Sequence, residues 1–198
     1  MNNRQRDQKV RVTANYESII DHLSDAGYGC SIILHDELLK NRKILISNDI
    51  NAITCNRIVS SLLYLNSIDS TSFIDLYIQT TGGWLDAAFS IISVIKDISA
   101  PVNTYALGGT HSSGAMILAA GTGTRKAYQN AIIMFHAGLY ESDGEFGENT
   151  LDNKRIINFW ERNAELPEDW LKQRKDENYY LDPEIAKTYK IIDEIISY

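Results

Sequence analysis

Three features of this 198-residue sequence predict an α/β fold. Short apolar runs of strand length alternate with segments whose apolar residues recur at helical spacing. Glycine pairs at Gly82-Gly83 and Gly108-Gly109 punctuate the passage from strand to helix. A hydrophobic content of 44% suffices for one sizeable core, and neither a second domain nor an internal repeat is visible.

Taken in order, residues 15–26 read as an N-terminal helix and 43–47 as the first clear strand. In the helix expected over 52–65, Ile58, Val59, Leu62 and Leu63 share one face. Residues 73–79 form the next strand, and Ile91, Ile92, Ile95 and Ile98 make the buried stripe of the helix after it. Strands over 102–107 and 132–135 bracket a small, apolar helix at 115–120, which assigns Met116, Ile117 and Leu118 to the core. These strand–helix–strand connections should be right-handed. Residues 140–150, with Gly144 and Gly147 among acidic residues, are polar and hairpin-like, and Ile156, Ile157, Phe159 and Trp160 give a later helix an apolar face. Asp182-Pro183-Glu184 is a helix start with Asp182 as its N-cap.

Charge and composition exclude several classes. A formal net charge of −7 argues against a nucleic-acid surface, which needs clustered cations to neutralise phosphates. Arg4, Arg6, Lys9 and Arg11 are the only basic cluster and read as a flexible tail. No apolar run approaches the ~20 residues of a membrane span, and the amino terminus lacks the apolar core of a secretory signal, so a cytoplasmic protein is expected. Cys30 and Cys55 form no metal-ligand pattern and are expected to be reduced, half-buried thiols. No phosphate-cradling Gly-x-x-x-x-Gly-Lys-[Ser/Thr] loop is present, so any use of ATP falls to a partner chain and no cofactor is expected.

Three segments carry chemistry. In 108–121 a serine stands between glycines where an apolar helix begins, which exposes a hydroxyl and aims free backbone N–H groups outward. Read alone it is an ordinary helix cap. In 76–88 a strand runs into Gly82-Gly83 and then an amphipathic helix, which by itself is a tight turn. In 131–138 His136 ends a strongly apolar strand, where a histidine is usually structural.

Together, from residue 31 to 196, these segments resemble the proteolytic subunit of the Clp protease, a serine peptidase of the ClpP/crotonase superfamily. The resemblance includes the entry segment 36–42, the Gly-Gly turn, the serine turn, the histidine strand and the closing segment 186–193, in the same order and spacing. It implies a spiral of ββα units with a protruding handle at about 140–165, a peptidase domain over 31–198, and an N-terminal extension over 1–30 in place of short axial loops. It also implies Ser112 as nucleophile, His136 as general base, and the backbone N–H groups of Gly83 and Ser113 as oxyanion-hole donors. Chemically these roles are coherent. A serine hydroxyl needs an imidazole to take its proton, and losing one oxyanion donor raises the barrier by about 3–4 kcal/mol.

The third triad position departs from the family. Counting back without gaps from Ile192-Asp193 places Asn178 where the family has aspartate. An amide oxygen holds the imidazole but does not offset its positive charge, and an Asp-to-Asn change in a serine protease costs about 10⁴ in turnover when the wrong tautomer results. Asp176, Glu177 and Asp182 are the nearest alternative carboxylates, with Asp182 better explained as a cap.

Three functions stay open. The resemblance implies first a serine endopeptidase that cuts unfolded polypeptides or short peptides inside a homo-oligomeric chamber of seven-membered rings, served by an Hsp100-type AAA+ unfoldase that alone uses ATP. Asn178 and a short 137–177 stretch suggest second a weak paralogue forming mixed or decoy rings, with ring formation expected ahead of ring stacking. A crotonase-like acyl-CoA enzyme is third, since such enzymes need no serine–histidine pair.

Overall fold

Alternation of buried and more exposed residues organises the first two strands and the first half of the third in the computed structural model, which describes residues 29–136, 151–167, 170 and 178–198. The first unit contributes one described helix, α1 (Gly29–Lys40), whose last turn carries a Lys40–Glu37 ion pair. The second unit opens with β1 (Lys43–Ile46), α2 (Ala52–Ile68), β2 (Ile74–Thr80) and α3 (Leu85–Asp97). It continues with β3 (Val102–His111), α4 (Ser113–Ala119), β4 (Arg125–Tyr128) and β5 (Ile132–His136). Helix α5 (Leu151–Asn163), β6 (Asn178–Leu181), α6 (Pro183–Thr188) and β7 (Glu194–Ile196) complete it. The fold is mixed α/β, the class the sequence predicts, with a seven-stranded, mostly parallel sheet whose main path is β1-β2-β3-β4-β7. Strand β5 runs parallel to the far half of β3, and β6 pairs antiparallel with β5.

The buried face of the sheet is aliphatic: Ile44, Ile46, Ile74, Leu76, Ile78, Val102 and Ala106 alternate with half-exposed residues, the pattern of strands covered on that side by helices. Ile91, Ile92 and Ile95 of α3 are buried as expected, whereas Ile98 is the half-buried C-cap. On α2 the stripe runs through Cys55, Ile58, Leu62 and Leu65, so Leu63 is exposed and Val59 half-buried, a rotation of the expected face toward Leu65. Cys55 is buried rather than half-buried, and burial pushes its thiol up against the lowering effect of the Ser90 hydroxyl. Arg42 donates to the carbonyls of Leu65, Asp69, Ser72 and Phe73, tying the last turn and C-cap of α2 to the loop that leads into β2. Asp182 accepts from Ile185 N–H and caps α6 as predicted.

Two differences from the expected elements bear on the site. Strand β3 runs on through Gly108-Gly109 to His111 instead of ending at 107, because two extra residues between Ala106 and Thr110 are absorbed in a register shift against Ile78 and Thr80. That shift turns the second half of β3 from β4 toward β5. Strands β4, β6 and β7 went unpredicted, being three or four residues long with little apolar periodicity. The expected helix over 15–26, the basic tail, the hairpin over 140–150 and the carboxylates Asp176 and Glu177 lie outside the described residues. Among the described residues no helix is long and apolar enough to cross a membrane, and no cluster suited to a metal ion occurs.

Strand β4 is tied to the chain end by Arg125, whose guanidinium donates to both Asp193 oxygens (2.6 and 3.0 Å) while its N–H donates to Oδ2 (2.8 Å). These bonds hold the Asp193 carboxyl below the usual carboxylate range, against the opposing effect of burial. A lowered folded value means that this stabilisation is present above the unfolded range near pH 4 and is lost as pH falls through the folded value. Because the carboxylate is more than a third exposed, Asp193→Asn should cost only about 1 kcal/mol at neutral pH. Chemical denaturation at pH 7 and at pH 3 should show that difference shrinking in acid.

Candidate active site

The strand-to-helix passage from β3 to α4 puts Ser112 at φ 55° and ψ −123°, a left-handed conformation that costs a non-glycine residue energy. Its N–H donates to Met134 O at 2.6 Å, so the β3–β5 ladder reaches the serine itself. Ser113, the first residue of α4, is buried. Glycine at 82 permits this approach, because a Cβ there would stand 2.7 Å from Ser112 Cβ.

Gly83 is held from the other side. Ile50 N–H donates to Gly82 O (2.8 Å) and Ile50 O accepts from Trp84 N–H (2.7 Å), a parallel bridge that grips the residues flanking Gly83. The N–H and C=O of Gly83 itself therefore face away from Ile50, and its carbonyl lies 3.4 Å from Ser113 Oγ. Among the described residues neither Gly83 N–H nor Ser113 N–H has a hydrogen-bond acceptor. Two adjacent unpaired amides suit a site for a negatively charged oxygen.

His136 is the last residue of β5 and faces Asn178, the first of β6, in the antiparallel register. Its Nδ1 lies 2.6 Å from Oδ1 of Asn178, the residue that the family resemblance sets at the third triad position. With Oδ1 as acceptor, Nδ1 carries the ring proton and Nε2 keeps a lone pair. An aromatic group supports this antiparallel strand pair: Phe135 packs on Trp160 (centroids 4.9 Å) and on Tyr179 (5.2 Å), and Trp170 stacks on Tyr179 (4.3 Å).

Ser112, Ser113, Gly83 and His136 all line one cavity of about 580 Å³. Met116, Phe135, Ile156 and Trp160 add apolar lining, so Met116 serves the cavity as well as the core. Helix α5 brings Ile156 and Trp160 there, fastened to α3 by Arg155, which pairs with Asp86 (2.7 Å) and lies over the Phe89 ring (4.3 Å).

Several residues escaped the sequence reading. His111 pairs with Met134 one residue before Ser112, sits edge-on to Tyr180 (6.2 Å), and has a buried Nε2 with no hydrogen-bond partner among the described residues. Burial, then the charge of His136, holds its imidazole below the ordinary value. Its place beside the serine was the available signal. Asp49, Ile50 and Trp84 also line the cavity, beside the bridge between Ile50 and Gly83, and no local motif marks Asp49 or Ile50.

Residues 29–198 match the Clp protease family model. The chain belongs to the Clp protease family. Among its relatives is the ATP-dependent Clp protease proteolytic subunit 2 of Bacillus licheniformis, 32% identical over 82% of this chain and 90% of the relative. The ATP-dependent Clp protease proteolytic subunit of Deinococcus radiodurans is 30% identical over 82% of this chain and 84% of its own. As a Clp protease family member the chain has a family match that spans every described element, from α1 through β7.

Proposed function

We propose that this chain is a serine endopeptidase, the proteolytic subunit of a Clp-like chambered protease that cleaves unfolded polypeptides or short peptides. The observation that carries the reading is one cavity lined by a serine in a left-handed turn, a histidine oriented by Asn178, and residues bearing two amides that have no acceptor among the described residues. In this mechanism His136 Nε2 takes the Ser112 proton as Oγ attacks the scissile carbonyl. The N–H groups of Gly83 and Ser113 receive the oxyanion, and His136 returns the proton to the leaving amine. Water, deprotonated by the same imidazole, then releases the acyl group from Ser112.

Seven-membered rings of this chain, an Hsp100-type AAA+ unfoldase as partner and ATP consumption confined to that partner complete the proposal. Two names among the relatives support it, both proteolytic subunits of an ATP-dependent Clp protease. Asn178 favours a second reading, a weakly active paralogue in mixed or decoy rings, because a neutral amide leaves the imidazolium uncompensated.

Fluorophosphonate labelling separates the readings. A peptidase takes one label, mapped by peptide analysis to Ser112, and loses it in Ser112→Ala. Native mass of the same sample reads the ring. An unlabelled particle, or a label on Ser113, would overturn the assigned nucleophile.

A further inference from the structure

The cavity is chemically lopsided. Among its described lining residues Asp49 is the only carboxylate, and none is lysine or arginine. Asp49 Oδ1 accepts from Thr81 Oγ1 at 2.7 Å, and its own carbonyl accepts from Thr54 Oγ1 at 2.9 Å, so backbone and carboxylate are both held in place. The other oxygen, Oδ2, has no hydrogen-bond or ion-pair partner among the described residues. The neighbouring lining side chain of Asn51 is occupied as the N-cap of α2, accepting from Ile53 and Thr54 N–H.

Trp84 lines the same cavity, yet its side chain is left in solvent: the residue is 65% exposed, with no ring or cation partner among the described residues. Its position is fixed. Its N–H bonds Ile50 O at 2.7 Å, and Ile50 follows Asp49 directly in the chain. Asp49 and Trp84 thus flank one bridge, Ile50 with Gly83, whose glycine bears the amide assigned to the oxyanion.

We propose that Asp49 and Trp84 form a subsite for a basic side chain, lysine or arginine, of the bound peptide. This rests on the peptidase reading of the same cavity. An aliphatic stem lies over an indole face while its cationic head reaches a carboxylate, and guanidinium or ammonium over Trp adds cation–π attraction. An apolar side chain there would cover Trp84 but desolvate Asp49 without a partner, and an acidic one would meet both that carboxylate and the net charge of −7. The apolar lining from Met116, Phe135, Ile156 and Trp160 takes a different side chain. The substrate class is therefore a peptide with an apolar and a basic residue within a few positions of each other.

The test uses full-length protein and matched peptides that differ only in carrying Arg, Leu or Glu at one position, scanned along each side of the cleavable bond. Binding is read by anisotropy on Ser112→Ala protein, and cleavage on the wild-type protein. At one position Arg should bind about tenfold tighter than Glu, an advantage that shrinks at 0.5 M salt as surface ion pairs are screened. Asp49→Asn, which keeps an acceptor for Thr81, should bring the Arg-to-Glu ratio close to one, and Trp84→Leu should lower the Arg-to-Leu ratio. Equal binding of the three peptides at every position, or a preference untouched by Asp49→Asn in folded protein, overturns the subsite. A preference that persists in binding while the wild-type protein cleaves nothing upholds the subsite and refutes the peptidase reading instead.

Discussion

Replacing Asn178 by aspartate should raise peptide turnover by about 10²-fold with little change in KM. In a serine protease the reverse change costs about 10⁴, through the wrong tautomer and the loss of a charge that stabilises imidazolium. Here part of that loss is already recovered. Asn178 Oδ1 stands 2.6 Å from His136 Nδ1, which puts the ring proton on Nδ1 and the lone pair on Nε2, the atom that takes the serine proton in the proposed mechanism. What the amide lacks is twofold. It bears no charge, and rotation by half a turn presents Nδ2 to the ring, moving the ring proton to Nε2 and blocking the base. A carboxylate has no such second face. Because Asn178 is exposed, solvent screens the added charge and holds the expected gain below the full 10⁴. An interaction that strengthens only as imidazolium forms acts on the transition state, so kcat should rise and KM should stay. Steady-state kinetics on both proteins decides it. Equal kcat, or an Asn178→Ala protein as active as the parent, would sink the role given to this residue.

The sequence made the site legible where function is written in consecutive residues. The serine turn, the glycine pair and the histidine at a strand end are local patterns, and the structure brings all three to one cavity. Asn178 required the family resemblance and a count back from Ile192-Asp193, and the antiparallel register sets it opposite His136. What stayed hidden depends on the sheet. Strand β4 reads Arg-Lys-Ala-Tyr, with Ala127 alone buried, so its strand character comes from pairing with β3 and β7 rather than from its own pattern. Gly108-Gly109 looked like the end of a strand because glycine is poor in sheets, yet here it accommodates the register shift that turns β3 toward β5. Asp49 and Trp84 are 35 residues apart and line one cavity beside the Ile50–Gly83 bridge, which no window along the chain reveals. Leu63 illustrates a smaller miss: adjacent apolar residues left the centre of the α2 face ambiguous by a fraction of a turn.

Gly83→Ala should reduce turnover and the rate of fluorophosphonate labelling by at least about 10²-fold, the loss typical of removing one oxyanion donor. At φ 149° the backbone occupies a region that L side chains rarely adopt. The steric conflict is also severe: a Cβ would lie 2.1 Å from Ile50 O and 2.7 Å from Ile50 N, and both are backbone atoms. Relief by moving Ile50 breaks its bonds to Gly82 and Trp84, while relief by rotating residue 83 swings its N–H away from Ser112. Either way the donor is lost, so the two routes differ in stability rather than in rate. Rotation alone leaves the melting temperature within a few degrees of the parent. Rupture of the bridge lowers it further, because α2 and α3 both begin beside it, at Ala52 and Leu85. Circular dichroism at the assay temperature identifies the folded fraction, to which the rates are then referred. Parental turnover per folded Gly83→Ala molecule would remove this amide from the mechanism, and with it the reason for glycine at this position beyond the turn itself.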